Sequence, residues 1–456
     1  MAQATGNPAM VQGGRTHFRW FVLAFIFVIY TIASADRANI GIALPFMQKE
    51  FGLTNTEVGS IVSLFGLAYG IFQIPAAFLV RQFGVSAVMP PFMILTSVFT
   101  ATLGMVGSAF LLQLNRLALG LAEAPLANSL MTTVNNWFPP REKGQAAGIF
   151  ISSAKFGPVI VPPIGAAIIL HFGWQYIFFF CAIPGIILPL LWYLLVPNNP
   201  ADSRFCSPDE VEHIADRRVI EPVAGGRQVS TTAAEPRWFK ALDRLLRTRP
   251  VVPIDTVAEL LRSWTAWGVT LGYFFVQGIV SVILAFLPLY LTTVKHFEIM
   301  KVGLVAAAPF VGAVMGNIIG GWLSDRVFDK RRKPTMIIST IATIFMMYSL
   351  RSSPNDPVGL AALLFLTGLL FSFGFSAFGI YPSTFTTKKF FPVAAALVNA
   401  GGQLGTATIP FAVGVILDKA NWDTAFLFLS LCSLAALILL FTIAEPREAQ
   451  ADPAKS

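Results

Sequence analysis

The sequence predicts an all-α membrane protein of twelve transmembrane helices arranged as two pseudo-symmetric six-helix bundles. Three observations predict it. Of 456 residues, 55% are hydrophobic and only 12% charged, with a mean hydropathy of +0.68. Soluble domains carry about 25% charged residues, so an ordinary cytosolic enzyme and a disordered chain are both excluded. The chain also divides into twelve apolar segments, most of them reaching the roughly 20 residues that a bilayer crossing needs. Finally, the second half repeats features of the first.

The segments fall near 18–47, 56–80, 86–107, 109–136, 144–170, 173–196, 257–293, 299–324, 334–350, 357–383, 391–417 and 421–443. They are called spans 1 to 12 below. At span 1, Arg15 and Arg19 precede an apolar run and then Ala33-Ser34-Ala35, which imitates a cleavable signal peptide. Apolar character resumes at Ile40, however, and cleavage would leave an odd number of helices, so one long span is expected. The organisation that follows is a tail (1–17), a first bundle (18–196), a polar connector (197–256), a second bundle (257–443) and a tail (444–456).

Within the connector, Ser207-Pro208-Asp209-Glu210 reads as a capped helix start, with serine at the cap, proline at the first position and glutamate at the third, the pattern of a capping box. Residues 225–235 are linker-like. From Trp238 to Arg249, apolar and basic residues alternate at helical spacing, as in an interfacial amphipathic helix. Most of the 32 lysines and arginines lie in loops on the side of both termini. That asymmetry predicts cytoplasmic termini by the positive-inside rule. It also accounts for the net charge of +8 without a nucleic-acid partner, which would need the charge gathered on one soluble face. Trp20, Trp174 and Trp264 suit interfacial anchoring, and most of the 41 phenylalanines are expected to pack or face lipid.

Three cysteines (Cys181, Cys206, Cys432) and four scattered histidines show no metal-ligand spacing. Neither a metal nor a cofactor is expected.

The internal repeat is local and specific. After span 2 stands Ala76-Ala77-Phe78-Leu79-Val80-Arg81-Gln82, and after span 8 Gly320-Gly321-Trp322-Leu323-Ser324-Asp325-Arg326. Span 5 carries Ser153-Ala154-Lys155-Phe156-Gly157 with Pro162 five residues on; span 11 carries Gly401-Gly402-Gln403-Leu404-Gly405 with Pro410 five on. Repeated bundles place a binding site near the bilayer midplane, between the halves. Gly144/Gly148, Gly316/Gly320 and Gly401/Gly405 have the small-residue spacing of tight helix packing.

Over nearly its full length the chain resembles a major facilitator superfamily transporter. The segment from Gly320 to Arg326 is similar to the superfamily's loop signature, and the resemblance implies a bracing and gating role for Asp325 and Arg326. Within the superfamily, Asp36-Arg37-Ala38-Asn39, Tyr69, Gln73-Ile74-Pro75, and Arg116 followed by Glu123-Ala124-Pro125 resemble the anion:cation symporter family. That family includes sugar-acid permeases and organic-anion carriers. The departure is Arg81, which stands where the first loop signature usually has an aspartate.

Ionisable residues inside a membrane default to functional-site candidates. Five stand out: Asp36, Arg37, Arg116, Glu123 and Lys155. Arg116 and Glu123 are two helical turns apart and share a face; Lys155 lies roughly 18 Å along its helix from Lys143. Three cations face two carboxylates, and an anionic cargo would balance the surplus. The alternative is that the charges pair off structurally. For Lys155 both readings stand: it engages a second carboxylate of the cargo, or it pairs with Glu123. Further candidate substrate contacts are Tyr69, Gln73, Tyr273, Gln277, Asn399 and Gln403, of which the last two are one turn apart.

These observations, with the resemblance, lead to the expectation of a non-enzymatic secondary transporter. It would sit in a bacterial inner membrane and import a carboxylate (a sugar acid, dicarboxylate or aromatic acid) by proton symport through alternating access. Arg37, Arg116 and Lys155 would hold the substrate, and Asp36 and Glu123 would carry the proton. A monomer suffices for such a pathway. The competing reading is an efflux antiporter for a metabolite or drug; sodium coupling is the other open point.

Overall fold

The structure is a computed structural model; it describes residues 16–139, 141–215, 247–250, 253–328, 331–387 and 390–447. Among these, twelve helical spans are present. Spans 1 to 6 are Phe18–Phe51, Asn55–Phe83, Val85–Leu103, Ala109–Trp137, Lys143–Phe172 and Gln175–Leu195. Spans 7 to 9 are Trp264–Thr293, Ile299–Arg326 and Lys333–Ser349; spans 11 and 12 are Phe391–Lys419 and Trp422–Thr442. Eleven of the spans are long and apolar enough to cross a membrane by length and composition. Span 4, the exception, carries Gln113, Asn115, Arg116 and Glu123.

Two spans differ from the sequence expectation. Span 7 does not begin at residue 257. A separate short helix, Val257–Arg262, ends at Ser263, whose extended backbone and hydroxyl then cap the new helix at the Ala266 amide. Span 10 is broken into Pro357–Ser372, Phe375–Ile380 and Pro382–Phe385. At the first break, Gly374 lies so close to Met336 and Thr335 of span 9 that an added Cβ would sit 2.7 Å from the Met336 Cα. At the second, Pro382 offers no amide to continue the ladder. Span 1 is continuous through Ala33-Ser34-Ala35.

The connector helix Pro208–Ala215 forms as expected, with the Ser207 Oγ accepting from the Glu210 amide. Glu210 does not close a box on its own helix. It is fully buried and accepts hydrogen bonds from the Phe18 and Arg19 amides, the Thr16 hydroxyl and the Arg19 Nη1. It therefore caps span 1, where an anion also meets the positive end of the helix dipole. The Arg19 Nε reaches Glu142 at 2.9 Å, and His213 Nε2 lies 3.1 Å from the same carboxylate. The expected amphipathic helix largely falls on 216–246, outside the described residues, as does the linker at 225–235. Its last part is not helical: Thr248–Pro250 (β1) pairs in parallel with Glu445–Arg447 (β2).

Glycines set how the bundles meet. A methyl group at Gly303 of span 8 would lie 2.6 Å from the Pro162 carbonyl oxygen of span 5, and one at Gly59 of span 2 would lie 2.5 Å from that of Pro410 in span 11. These two contacts are related by the internal repeat. They lie in the half of the bundle away from the termini, where Gly41 also abuts Leu284 and Gly414 abuts Asn55. There Asp418 accepts from the Asn55 amide (2.9 Å) and the Thr56 amide (2.7 Å) at the start of span 2. Gly316 and Gly320 receive the Leu369 and Phe373 carbonyls, and Gly401 and Gly405 abut Thr270 and Phe274, as tight packing requires. Gly144 and Gly148 make no such approach. Of the tryptophans, Trp264 is exposed, but Trp174 is buried and donates to Glu50 at 2.6 Å, so it packs instead of anchoring at an interface.

The junction of Arg19, Glu142 and Glu210 makes stability pH-dependent. Burial disfavours both carboxylates, yet the bonds from Arg19 and His213 to Glu142, and from Thr16, Phe18 and Arg19 to Glu210, outweigh it and hold both below the usual glutamate value. Groups with depressed folded pKa values stabilise fully above their unfolded pKa, about 4.3, and lose that contribution as pH falls through the folded value. Glu210→Ala is expected to lower the melting temperature at pH 7 and to flatten its decline below about pH 4. Melting curves of the detergent-solubilised protein from pH 3 to 8 check this.

Candidate functional site

Between the bundles lies a cavity of about 320 Å³, within the size range of small-molecule sites. All nine residues expected from the sequence to contact substrate line it: Arg37, Tyr69, Gln73, Arg116 and Lys155 from the first bundle, and Tyr273, Gln277, Asn399 and Gln403 from the second.

The arginine wall is built on span 2. Phe65 and Tyr69, one turn apart, present their rings together with centroids 6.0 Å apart. The Arg37 guanidinium carbon lies 4.9 Å from the Tyr69 centroid, and that of Arg116 lies 4.6 Å from Phe65. Gly120 permits this, because span 4 approaches the Phe65 carbonyl so closely that any Cβ would collide. Cation–π contacts contribute about 0.5–1 kcal/mol where exposed and about 2 kcal/mol where desolvated, so that of the buried Arg116 is the stronger of the two.

Arg37 is held by Glu123, with Nη2 2.6 Å and Nε 2.7 Å from the same carboxylate oxygen. Arg116 is 2% exposed and has no carboxylate within ion-pair distance among the described residues. Its Nε points to the Ile61 carbonyl at 3.4 Å, and its Nη1 is buried without a partner. Lys155 is not paired with Glu123, which Arg37 occupies. Its ammonium instead faces the ring of Phe375, 4.0 Å from the centroid, just past the break in span 10.

Neither Glu123 nor Asp36 lines the cavity. Glu123 is fully buried behind Arg37. Asp36 is 1% exposed, accepts from the Asn39 side-chain Nδ2 at 3.3 Å, and among the described residues its second oxygen has no hydrogen-bond partner. The expected proton carriers thus sit inside the first bundle, with Glu123 in direct contact with one cavity-lining residue, Arg37. On the opposite wall, Asn399 Nδ2 donates to Gln73 Oε1 at 3.0 Å, joining the bundles, while Gln277 Oε1 is buried without a partner. Asp325 and Arg326 lie apart from the cavity. Asp325 pairs with Arg332 at 2.7 Å, bracing the loop between spans 8 and 9, and Arg326 is exposed.

Sequence reasoning missed Phe65, Phe375, Ser281, Ser372, Thr367 and Thr406, which also line the cavity. Phe65 could have been found from its one-turn spacing to Tyr69, and Phe375 from the Phe373-Gly374 interruption of an apolar run. The small hydroxyl residues carry no signal in a single sequence.

The family model for the Major Facilitator Superfamily matches residues 26–331 and 269–456. The chain belongs to this superfamily. It is a multi-pass membrane transporter, and its relatives are transporters rather than enzymes. It is 27% identical over 446 residues to the probable galactarate/D-glucarate transporter GarP of Escherichia coli K12, covering 94% of this chain and 95% of that protein. It is 27% identical over 432 residues to that strain's probable L-galactonate transporter, covering 93% and 89%. To the probable sulfoacetate transporter SauU of Cupriavidus necator it is 25% identical, covering 95% and 97%. The fold is similar to that of a bacterial homologue of the human lysosomal transporter Spinster in an inward-facing, unoccupied conformation, with a TM-score of 0.70, 17% identity and 94% and 96% coverage. It is also similar to that of a point mutant of the nucleoside transporter NupG, with a TM-score of 0.66, 12% identity and 92% and 99% coverage.

The Arg37–Glu123 pair has a checkable energetic consequence. Removing one partner strands a buried charge, at a cost of about 3–5 kcal/mol. Arg37→Met is expected to destabilise the protein on that scale, and the double variant Arg37→Met/Glu123→Gln to recover most of the loss. Thermal unfolding of the four species in one detergent measures the coupling.

Proposed function

We propose that this protein imports a sugar acid by proton symport through alternating access. It would act as a monomer in a bacterial inner membrane, with both termini in the cytoplasm. The observation that carries the reading is a cavity between the bundles in which, among the described residues, Arg116 and Lys155 have no carboxylate at ion-pair distance while Arg37 holds Glu123. Charges at membrane depth are costly unless balanced, most of all for Arg116 at 2% exposure, and a carboxylate cargo balances them. The hydroxyls of a sugar acid find complementary groups in Gln277, Gln403 and Asn399 on the facing wall. Relatives named for galactarate, glucarate and galactonate support the class of cargo.

Coupling follows from the position of Glu123. When a carboxylate engages the arginines, Glu123 loses part of its counter-ion and takes up a proton; release of the cargo restores the pair and expels the proton. Asp36, buried in the same bundle, is the second candidate for a proton. The closest backbone approaches between bundles, at Gly41, Gly59, Gly303 and Gly414, lie on the side away from the termini, while the Asn399–Gln73 bond joins them nearer mid-depth; with cytoplasmic termini this favours an inward-facing reading. Efflux of lipophilic cations, the competing reading, is disfavoured by the basic wall of the cavity.

The test is a panel of radiolabelled carboxylates in proteoliposomes, with and without an inward proton gradient and with sodium exchanged for choline. Gradient-driven accumulation of a sugar acid is expected; accumulation that needs sodium, or none at all, overturns the coupling. In the same vesicles, Arg116→Ala should lose substrate binding by roughly 100-fold or more, as the loss of a charge-assisted contact in a dry site implies. Glu123→Gln should retain exchange of labelled for unlabelled substrate but lose accumulation. Normal accumulation by that variant removes Glu123 from proton coupling.

A further inference from the structure

The three cations of the cavity all come from the first bundle, but they are not equivalent. Arg37 and Arg116 stand on the shelf formed by Phe65 and Tyr69 of span 2. Lys155 projects from span 5 of the first bundle to Phe375 of the second. Among the described residues its ammonium has no ion pair and no hydrogen bond, and an aromatic face leaves its three donors free. Span 5 is pressed onto span 1, where Gly157 touches Ser34 and Ala35, so the lysine is fixed in depth along the bundle.

We propose that Lys155 is a specificity-determining residue that receives a second carboxylate, making the preferred cargo a dianionic sugar acid of the aldaric class over a monoanionic aldonic acid. The inference rests on the sugar-acid symport reading above. Charge balance carries it. Among the five charges singled out at membrane depth in the first bundle, Arg37 and Arg116 are matched in number by Asp36 and Glu123, and Lys155 is the cation in surplus. Uptake of one proton by Glu123 or Asp36 raises the surplus to two positive charges. A dianion neutralises that state; a monoanion leaves one ammonium uncompensated in a low-dielectric site. The two receptors sit against different surroundings, the arginines over Phe65 and Tyr69 of span 2 and the Lys155 ammonium over Phe375 of the second bundle, which suits a linear molecule with a carboxylate at either end. Its first carboxylate would meet the arginines. The second would take the Lys155 ammonium away from the Phe375 ring, exchanging a weak contact for a charge-assisted hydrogen bond.

The experiment compares galactarate with galactonate, six-carbon acids differing in one terminal carboxylate, as radiolabelled substrates of the full chain in proteoliposomes under an inward proton gradient. The wild type should favour galactarate in kcat/KM. In Lys155→Gln the galactarate-to-galactonate ratio should fall roughly 10- to 100-fold, the range expected for a lost hydrogen bond to a charged group. Lys155→Arg, which keeps the charge, should restore most of the ratio. A ratio unchanged in Lys155→Gln, or a wild type that favours galactonate, overturns the proposal while leaving sugar-acid transport intact. Transport of neither acid by the wild type overturns the sugar-acid reading itself. Should Lys155→Gln fail to fold, the ratio is read in Lys155→Met, and an unchanged ratio there overturns the proposal equally.

Discussion

Charge placed where water is scarce must find its opposite, and that constraint organises the centre of this protein. The Arg37–Glu123 pair satisfies it by direct contact. Arg116 satisfies it only partly, through an aromatic face and a carbonyl oxygen, and Lys155 through an aromatic face alone. The result is a cavity in which two cations have no carboxylate at ion-pair distance among the described residues. Stability and function pull in opposite directions here. A hydrophobic replacement of such groups is often neutral or stabilising, so their presence points to work other than holding the fold together.

The fold serves this centre by keeping helices close where they must touch and interrupted where they must not. Gly120 brings span 4 against span 2, which is what lets Arg116 reach beneath Phe65. Gly59 and Gly303, paired with the carbonyls of Pro410 and Pro162, join the bundles at positions related by the repeat. Span 10 does the reverse. Its break at Gly374 frees Phe375 from a continuous helix beside the cavity, in keeping with the discontinuous helices that line binding sites in transporters.

Most of the architecture was legible in the sequence because bilayer crossing imposes a long, uniform signal. The boundaries of the spans agree closely with the apolar segments, and the Ser207-Pro208 start is a real helix start. What escaped was whatever depends on one residue's neighbour in space. Ser263 is an ordinary serine until its hydroxyl caps span 7, and the apolar run from 357 to 383 gives little warning of two breaks. In the site, residue type and depth located all nine cavity-lining candidates. They did not reveal that Glu123 would turn to Arg37 rather than Lys155, nor that Asp36 would face the interior of its own bundle. Adjacent residues on a helix diverge by about 100°, and which of Asp36 and Arg37 meets the cavity is decided by packing against other helices.

Asp418 has a consequence of its own. Its carboxylate closes one end of the molecule by seating on the first amides of span 2, at a place exposed to solvent. Water can replace every one of those bonds at little net loss, since an exposed hydrogen bond contributes only about 1 kcal/mol or less. A seal of that kind gives direction without permanence. It aligns the two halves where they meet, yet holds them only lightly, so the firmer grip at that end comes from the buried glycine and proline contacts beneath.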